Sequence, residues 1–209
     1  MTVERCRDTS AASWLLSQQR EWYDLTARGP LGYERYARLR FIPDPAFDGQ
    51  RESHAEVPDE IAAGPSELWQ LAVAVSHLAR HTTTPDDCYF LIWDGWPSGW
   101  PYVQYEKLGD RDLNIQDEQL GVVRSYYFFN GEADLFAWED ASNVLASPTR
   151  LLPDPAFTWP ADRAWCITDD IDPHFATIGA SHPAITDLLN DSRIDIVEDD
   201  PESYPPRYT

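Results

Sequence analysis

Two short stretches of the chain are apolar on both faces: CYFLIWD at 88–94 and RAWCIT at 163–168. Runs of this length without polar alternation read as strands covered on both sides, near the centre of a sheet. Other runs alternate. In YERYARLRFI (33–42), Ala37, Leu39 and Phe41 fall on one side and Arg38 and Arg40 on the other. This predicts a half-buried strand whose arginines pair with nearby acids. VVRSYYFFN (122–130) reads as a further strand, and PYVQYEKL (101–108) as a partner of 88–94 across a long loop. FATIG (175–179) and IDIV (194–197) complete the strand set.

Helical periodicity is clearest in SELWQLAVAVSHLARHT, which Ser66 opens. Leu68, Leu71, Ala72, Val75, Leu78 and Ala79 form its stripe, widened by Trp69 and Val73. So wide an apolar face packs on a sheet. Residues 10–27 read as a cover helix, capped by Ser10 or Ser13 and stopped at Gly29-Pro30. Ser181 suits an N-cap and Pro183 the first turn of a helix carrying Ile185, Leu188 and Leu189.

Between these elements, 43–65 reads as a proline-punctuated loop, 109–121 as a polar loop, 132–138 as a short helical turn and 143–159 as mostly irregular. The expected fold class is α+β: a mixed, largely antiparallel central sheet covered by helices. It forms one domain over 1–198, followed by an acidic, Pro-rich tail at 199–209 that reads as extended or disordered.

Composition bounds the function. With 209 residues, 43% of them apolar, the chain can build one core. Its formal charge is −20, from 36 acidic and 16 basic residues, and lysine occurs once, at Lys107. Nucleic acid and anionic membranes call for clustered Lys and Arg, so neither is an expected partner. The acidic surplus serves solubility or steers a basic protein partner to the surface. Cys6, Cys88 and Cys166 form no CxxC pair, and two of them sit in apolar runs. That pattern predicts free thiols and a reducing cytoplasm. No run approaches the ~18 apolar residues of a membrane span.

Candidate chemistry gathers in two places. Asp169, Asp170, Asp172 and His174 stand at the exit of the 163–168 strand. In a continuing strand Asp170, Asp172 and His174 would share one side and could hold a divalent metal. Pro173 breaks that geometry, so a solvated turn and a polar recognition surface stay open beside it. The second place is the loop after 88–94, where Asp94, Trp96 and Trp100 could anchor a partner or a ring-shaped ligand. His77 and His81 share a helix face, but no acid of that helix is placed to complete a zinc site, so they read as surface histidines. GxSxG, GxGxxG and GxxxxGK[ST] are all missing, and no cofactor is expected. Cys166, inside an apolar run, reads as packing.

Two internal echoes stand out. PDPAF occurs at 43–47 and at 153–157, and PDDCYFLIWD (85–94) parallels PADRAWCITD (160–169). They are a duplicated unit or two strand entries built with similar turns. The stretches LARHTTTPDDCYFLIWDGW (78–96), WPADRAWCITDDIDP (159–173) and IGAS (178–181) resemble a family of uncharacterised proteins common in high-GC Gram-positive bacteria (actinobacteria). The resemblance covers about a fifth of the chain and implies no particular reaction. The acidic, Trp-rich character is also similar in kind to immunity proteins of toxin–immunity systems.

The expected function is therefore a non-enzymatic intracellular protein-binding module, immunity-like, that offers an acidic, Trp-containing surface to a basic protein. The alternative is a small-molecule or metal-dependent enzyme with its site around Asp169–His174.

Overall fold

Strand Cys88–Trp93 has a paired neighbour on each edge, and the apolar side chains of its two faces are buried in separate clusters, as a strand inside a covered sheet requires. The computed structural model describes residues 3–56, 64–95, 109–134, 153–170 and 173–209. Among these, nine strands form one sheet: β1 (Val3–Arg5), β2 (Arg35–Arg40), β3 (Cys88–Trp93), β4 (Leu113–Asp117), β5 (Gly121–Gly131), β6 (Phe157–Pro160), β7 (Trp165–Thr168), β8 (Phe175–Ala180) and β9 (Ile196–Asp199). The order is β1-β5-β3-β6-β7-β8-β2-β9, with β4 also on β5. Every pairing is antiparallel, where some parallel pairing was expected. With helices α1 (Ser13–Leu16), α2 (Trp22–Arg28), α3 (Glu67–Leu78) and α4 (His182–Leu189), the class is α+β, dominated by sheet.

The two-residue period of a strand divides the core in two. Cys88, Phe90 and Ile92 join Trp165, Ile167, Ile178, Leu71, Val75, Leu78, Ile185 and Leu188 in one apolar cluster. Leu91, Phe128, Phe157, Trp159 and Cys166 join Leu15 and Leu25 in a second. The second is aromatic: Trp159 stacks on Tyr89 and Phe128 at 5.7 and 5.9 Å and takes the edge of Trp14 at 5.9 Å.

Local signals fix the helices. Ser66 Oγ accepts the Trp69 amide at 3.0 Å and starts α3. Ser181 Oγ accepts the Ala184 amide at 3.4 Å and starts α4, with Pro183 in its first turn. The single helix expected over 10–27 is instead a 3-10 turn at Thr9–Ala12, α1 and α2. Asp8, just ahead of the expected Ser10, caps the 3-10 turn by accepting the Ser10 amide. Residues 17–21, SQQRE, offer no apolar side chain to the core, and the helix lapses there. Gly29 ends α2 at φ 71°, and a Cβ on it would meet Thr168 Oγ1 at 2.5 Å. Only glycine satisfies both demands.

Three more expectations change. The 109–121 loop contains β4, whose Leu113 and Ile115 are buried. The irregular stretch 143–159 ends in β6, all four residues of which are buried. Arg38 is 6% exposed, so β2 is covered on both faces. The expected strand at 101–108 lies outside the described residues, and β3 takes β5 and β6 as its neighbours. The echoed turns meet in space: Ala161 N–H donates to Asp87 O at 2.8 Å, and Asp162 receives Thr82 and Thr83 at 2.7–2.8 Å. The PDPAF copies diverge, with Phe47 64% exposed and Phe157 fully buried.

The tail is extended and docked. Arg28 donates to the carbonyls of Asp200 and Ser203, Tyr208 Oη to Pro43 O at 2.7 Å, and the Thr209 amide to Gln50 O at 3.0 Å.

Candidate functional site

The acidic stretch after β7 divides. Asp170 is 3% exposed and accepts from Tyr126 Oη at 3.2 Å and from Arg124 Nε at 3.3 Å. The Arg124 guanidinium lies 5.0 Å from the Trp93 ring centre and 5.7 Å from that of Trp22. Asp170 is thus a buried counter-charge on the aromatic face. Asp169 N–H donates to Ala156 O at 2.8 Å. Its carboxyl is pushed well above the usual range by burial, and further by Asp154, Glu67 and Asp170.

His174 belongs to a different neighbourhood. Its Nε2 meets Asp44 Oδ1 at 3.1 Å, from the loop after β2. Its ring sits edge-on to Phe175 and Tyr208, at 5.1 and 4.9 Å. Asp44 also accepts from Arg38 Nη1 at 2.7 Å and from Arg40 Nη1 at 2.9 Å. These donors overcome its partial burial and hold Asp44 at about 2. Burial lowers the pKa of His174, against the pull of Asp44. The network runs on through Asp199, shared by Arg38 at 3.3 Å and Arg28 at 2.7 Å, and through Asp195, bonded to Arg40 at 2.8 Å. The sequence reading paired Arg38 and Arg40 with nearby acids, but the burial of Arg28 and Arg38 was not legible in it.

Asp170 and His174, two of the three expected metal ligands, therefore have separate partners, and Asp172 lies outside the described residues. Among the described residues no group of three or more His, Cys, Asp or Glu is placed to hold a metal ion. Asp94, from the expected recognition loop, accepts Arg111 Nε at 2.6 Å and donates its amide to Ser125 O at 3.0 Å. Trp96 and Trp100 lie outside the described residues.

His77 and His81 have partners after all. His77 Nε2 lies 2.5 Å from Asp191 and His81 Nε2 3.1 Å from Asp187, with Arg80 and Arg193 beside them. Sequence reasoning missed this clasp between α3 and the α4 region. Its signal was present in the spacing: His77 and His81 are four apart at the end of α3 and the turn after it, and Asp187 and Asp191 are four apart at the end of α4 and just beyond it. Burial pushes the thiols of Cys88 and Cys166 up to about 12, which fits packing and not nucleophilic chemistry.

Beside His174 lies a cavity of about 110 Å³, lined by Tyr23, Glu52, Pro173, His174, Arg207 and Tyr208. No family model, curated protein or solved structure matches the chain. No helix among the described residues is long and apolar enough to cross a membrane.

Proposed function

We propose that the chain is a non-enzymatic intracellular binding module, immunity-like, that presents an acidic surface to a basic protein. The observation that carries this is where the positive charge goes. Ten arginines are ion-paired among the described residues: 5, 7, 28, 35, 38, 40, 80, 111, 124 and 193. Arg28 and Arg38 are almost wholly buried. The basic minority is thus spent on holding the fold, and the acidic surplus falls to the surface.

Part of that surplus collects at one end of β3 and β5. Glu4, Asp8, Asp86, Asp87 and Glu132 are exposed there. Glu4 stands opposite Asn130, whose Nδ2 reaches Asp87 at 2.6 Å, and the pKa of the Cys6 thiol is raised by burial first and then by the charges of Asp8, Asp112 and Asp87. In this account α3 and α4 cover one face of the sheet and α1 and α2 the other. Recognition then falls to the strand ends and to the loop carrying Asp94, Trp96 and Trp100. The test is affinity capture from the native host lysate, using the unmodified chain and an Asp86→Lys/Asp87→Lys/Glu132→Lys variant. The expected result is a basic protein retained by the first and lost by the second. Retention of no protein, or equal retention by both, contradicts the proposal.

A small-molecule enzyme is the second reading. One observation favours it: His174, oriented by Asp44, lines a cavity, as a general base would. Turnover abolished by His174→Gln with the fold retained would establish it.

A further inference from the structure

We propose that a second cavity, between the start of α2 and the free edge of β4, binds a single neutral sugar ring. It holds about 300 Å³ and is lined by Arg20, Trp22 and Leu25 on one side and by Asn114, Ile115 and Gln116 on the other. Side chains of a strand alternate between its faces, so a cavity that meets three consecutive residues lies along the strand's edge. Among the described residues β4 pairs with β5 alone, and no β5 residue lines the cavity, so this is the unpaired edge.

The polar groups there are accessible and unused. Trp22 Nε1, Arg20 Nε and Asn114 Nδ2 make no hydrogen bond among the described residues, and none of the three is buried. The Gln116 side chain is exposed and makes none either. Other contacts hold these groups in place. Arg20 Nη1 and Nη2 donate to the carbonyls of Gly29 and Pro201, each at 2.8 Å, and Asn114 Oδ1 accepts Ser125 Oγ at 2.8 Å. The Trp22 ring meets Tyr23 edge-on at 5.7 Å and packs against the Arg124 guanidinium, also at 5.7 Å.

The walls select the ligand. Three N–H donors and a primary amide that both donates and accepts match hydroxyl groups, which also do both. Among the described residues no carboxylate lines the cavity, although the chain has 36 acidic residues. A cation therefore finds no counter-charge there and is repelled by Arg20. An anion is opposed by the net charge of −20. Trp22 already packs on Tyr23 and Arg124, which leaves a flat base little ring to stack on. Leu25 and Ile115 give a small apolar floor for the C–H face of a sugar. The volume stands at the small end of ligand sites, which suits one ring and not a chain of them. This inference is independent of the acidic surface at Glu4, Asp8, Asp86, Asp87 and Glu132.

The test is a set of proton–nitrogen NMR correlation spectra of the full chain, titrated separately with glucose, galactose, mannose and adenine. The indole N–H of Trp22, assigned with Trp22→Phe, should shift saturably with at least one hexose, together with the side-chain amides of Asn114 and Gln116. Asn114→Ala and Gln116→Ala, both at exposed positions, should each weaken binding of that hexose at least threefold, the loss expected for one hydrogen bond. The rest of each spectrum shows that the variant is folded. No saturable shift of Trp22 with any of the three hexoses overturns the proposal. Unchanged affinity in either folded variant, or adenine binding tighter than every hexose, overturns it too.

Discussion

Arg28 of α2 and Asp199 at the end of β9 form an ion pair at 2.7 Å, their side chains 2% and 6% exposed. The pair ties the second helix to the edge strand and, through the Asp200 and Ser203 carbonyls, to the tail. Removing Asp199 leaves the buried Arg28 charge with carbonyl acceptors alone, and removing Arg28 leaves the buried Asp199 with only the longer contact to Arg38 at 3.3 Å. Arg28→Ala or Asp199→Ala should each cost about 3–5 kcal/mol in urea unfolding. The double variant should cost clearly less than the sum. Additive losses would show that the two residues act independently.

Asp44 should make the chain acid-sensitive. Its folded pKa, about 2, lies below the ~3.9 of an unfolded aspartate. Its stabilisation is therefore complete above ~pH 4 and is lost as pH falls toward 2. At pH 7 Asp44→Asn should cost no more than about 2 kcal/mol after solvent screening, and the difference should vanish near pH 2. Chemical unfolding of both proteins across that range measures it.

Asp169 has the opposite sign. Burial raises its pKa well above the usual range, so its cost is absent below ~pH 4 and grows as pH rises through the folded value. Asp169→Asn should raise the thermal midpoint at pH 8 and leave it unchanged at pH 3.5. A lower midpoint at pH 8 would show that the carboxylate is needed charged.

Cys88 and Cys166, buried on opposite faces of the sheet with thiols near 12, should resist alkylation in the native state. At pH 7.5 iodoacetamide should label Cys6 alone, and all three thiols in 8 M urea. Peptide mass spectrometry reads the result.

The clasp of His77 and His81 on Asp187 and Asp191 joins α3 to the α4 region. Asp191→Ala leaves His77 Nε2 without its acceptor and should cost about 1–2 kcal/mol. Hydrogen exchange should speed up in α4 before it does in β3.

The sequence spoke most clearly where a single local pattern decides the outcome. Cys88–Trp93 and Trp165–Thr168 are apolar on both faces and stand inside the sheet. Ser66 and Ser181 are caps whichever way the domain folds around them. β4 escaped notice because only Leu113 and Ile115 alternate, inside a polar stretch. β6 escaped because the prolines around FTWP signal a loop, while its burial comes from β3 and β7 alongside. The candidate site was less legible still. Asp44 and His174 are 130 residues apart, and Arg207 reaches the same cavity from the tail. Proximity along the chain grouped His174 with Asp170 and Asp172, whereas the sheet hands Asp170 to Tyr126 and His174 to Asp44.

The central claim is that this chain recognises a basic protein through its acidic surplus. The most direct measurement is the dissociation constant of the captured partner, with each protein purified, as salt rises from ~50 to ~500 mM, across the range where the Debye length shrinks from above 10 Å to below 5 Å. The account predicts affinity falling at least tenfold, mostly through a slower association rate, with the slope flattened by Asp86→Lys and Asp87→Lys. An affinity unchanged by salt and by both substitutions would contradict it.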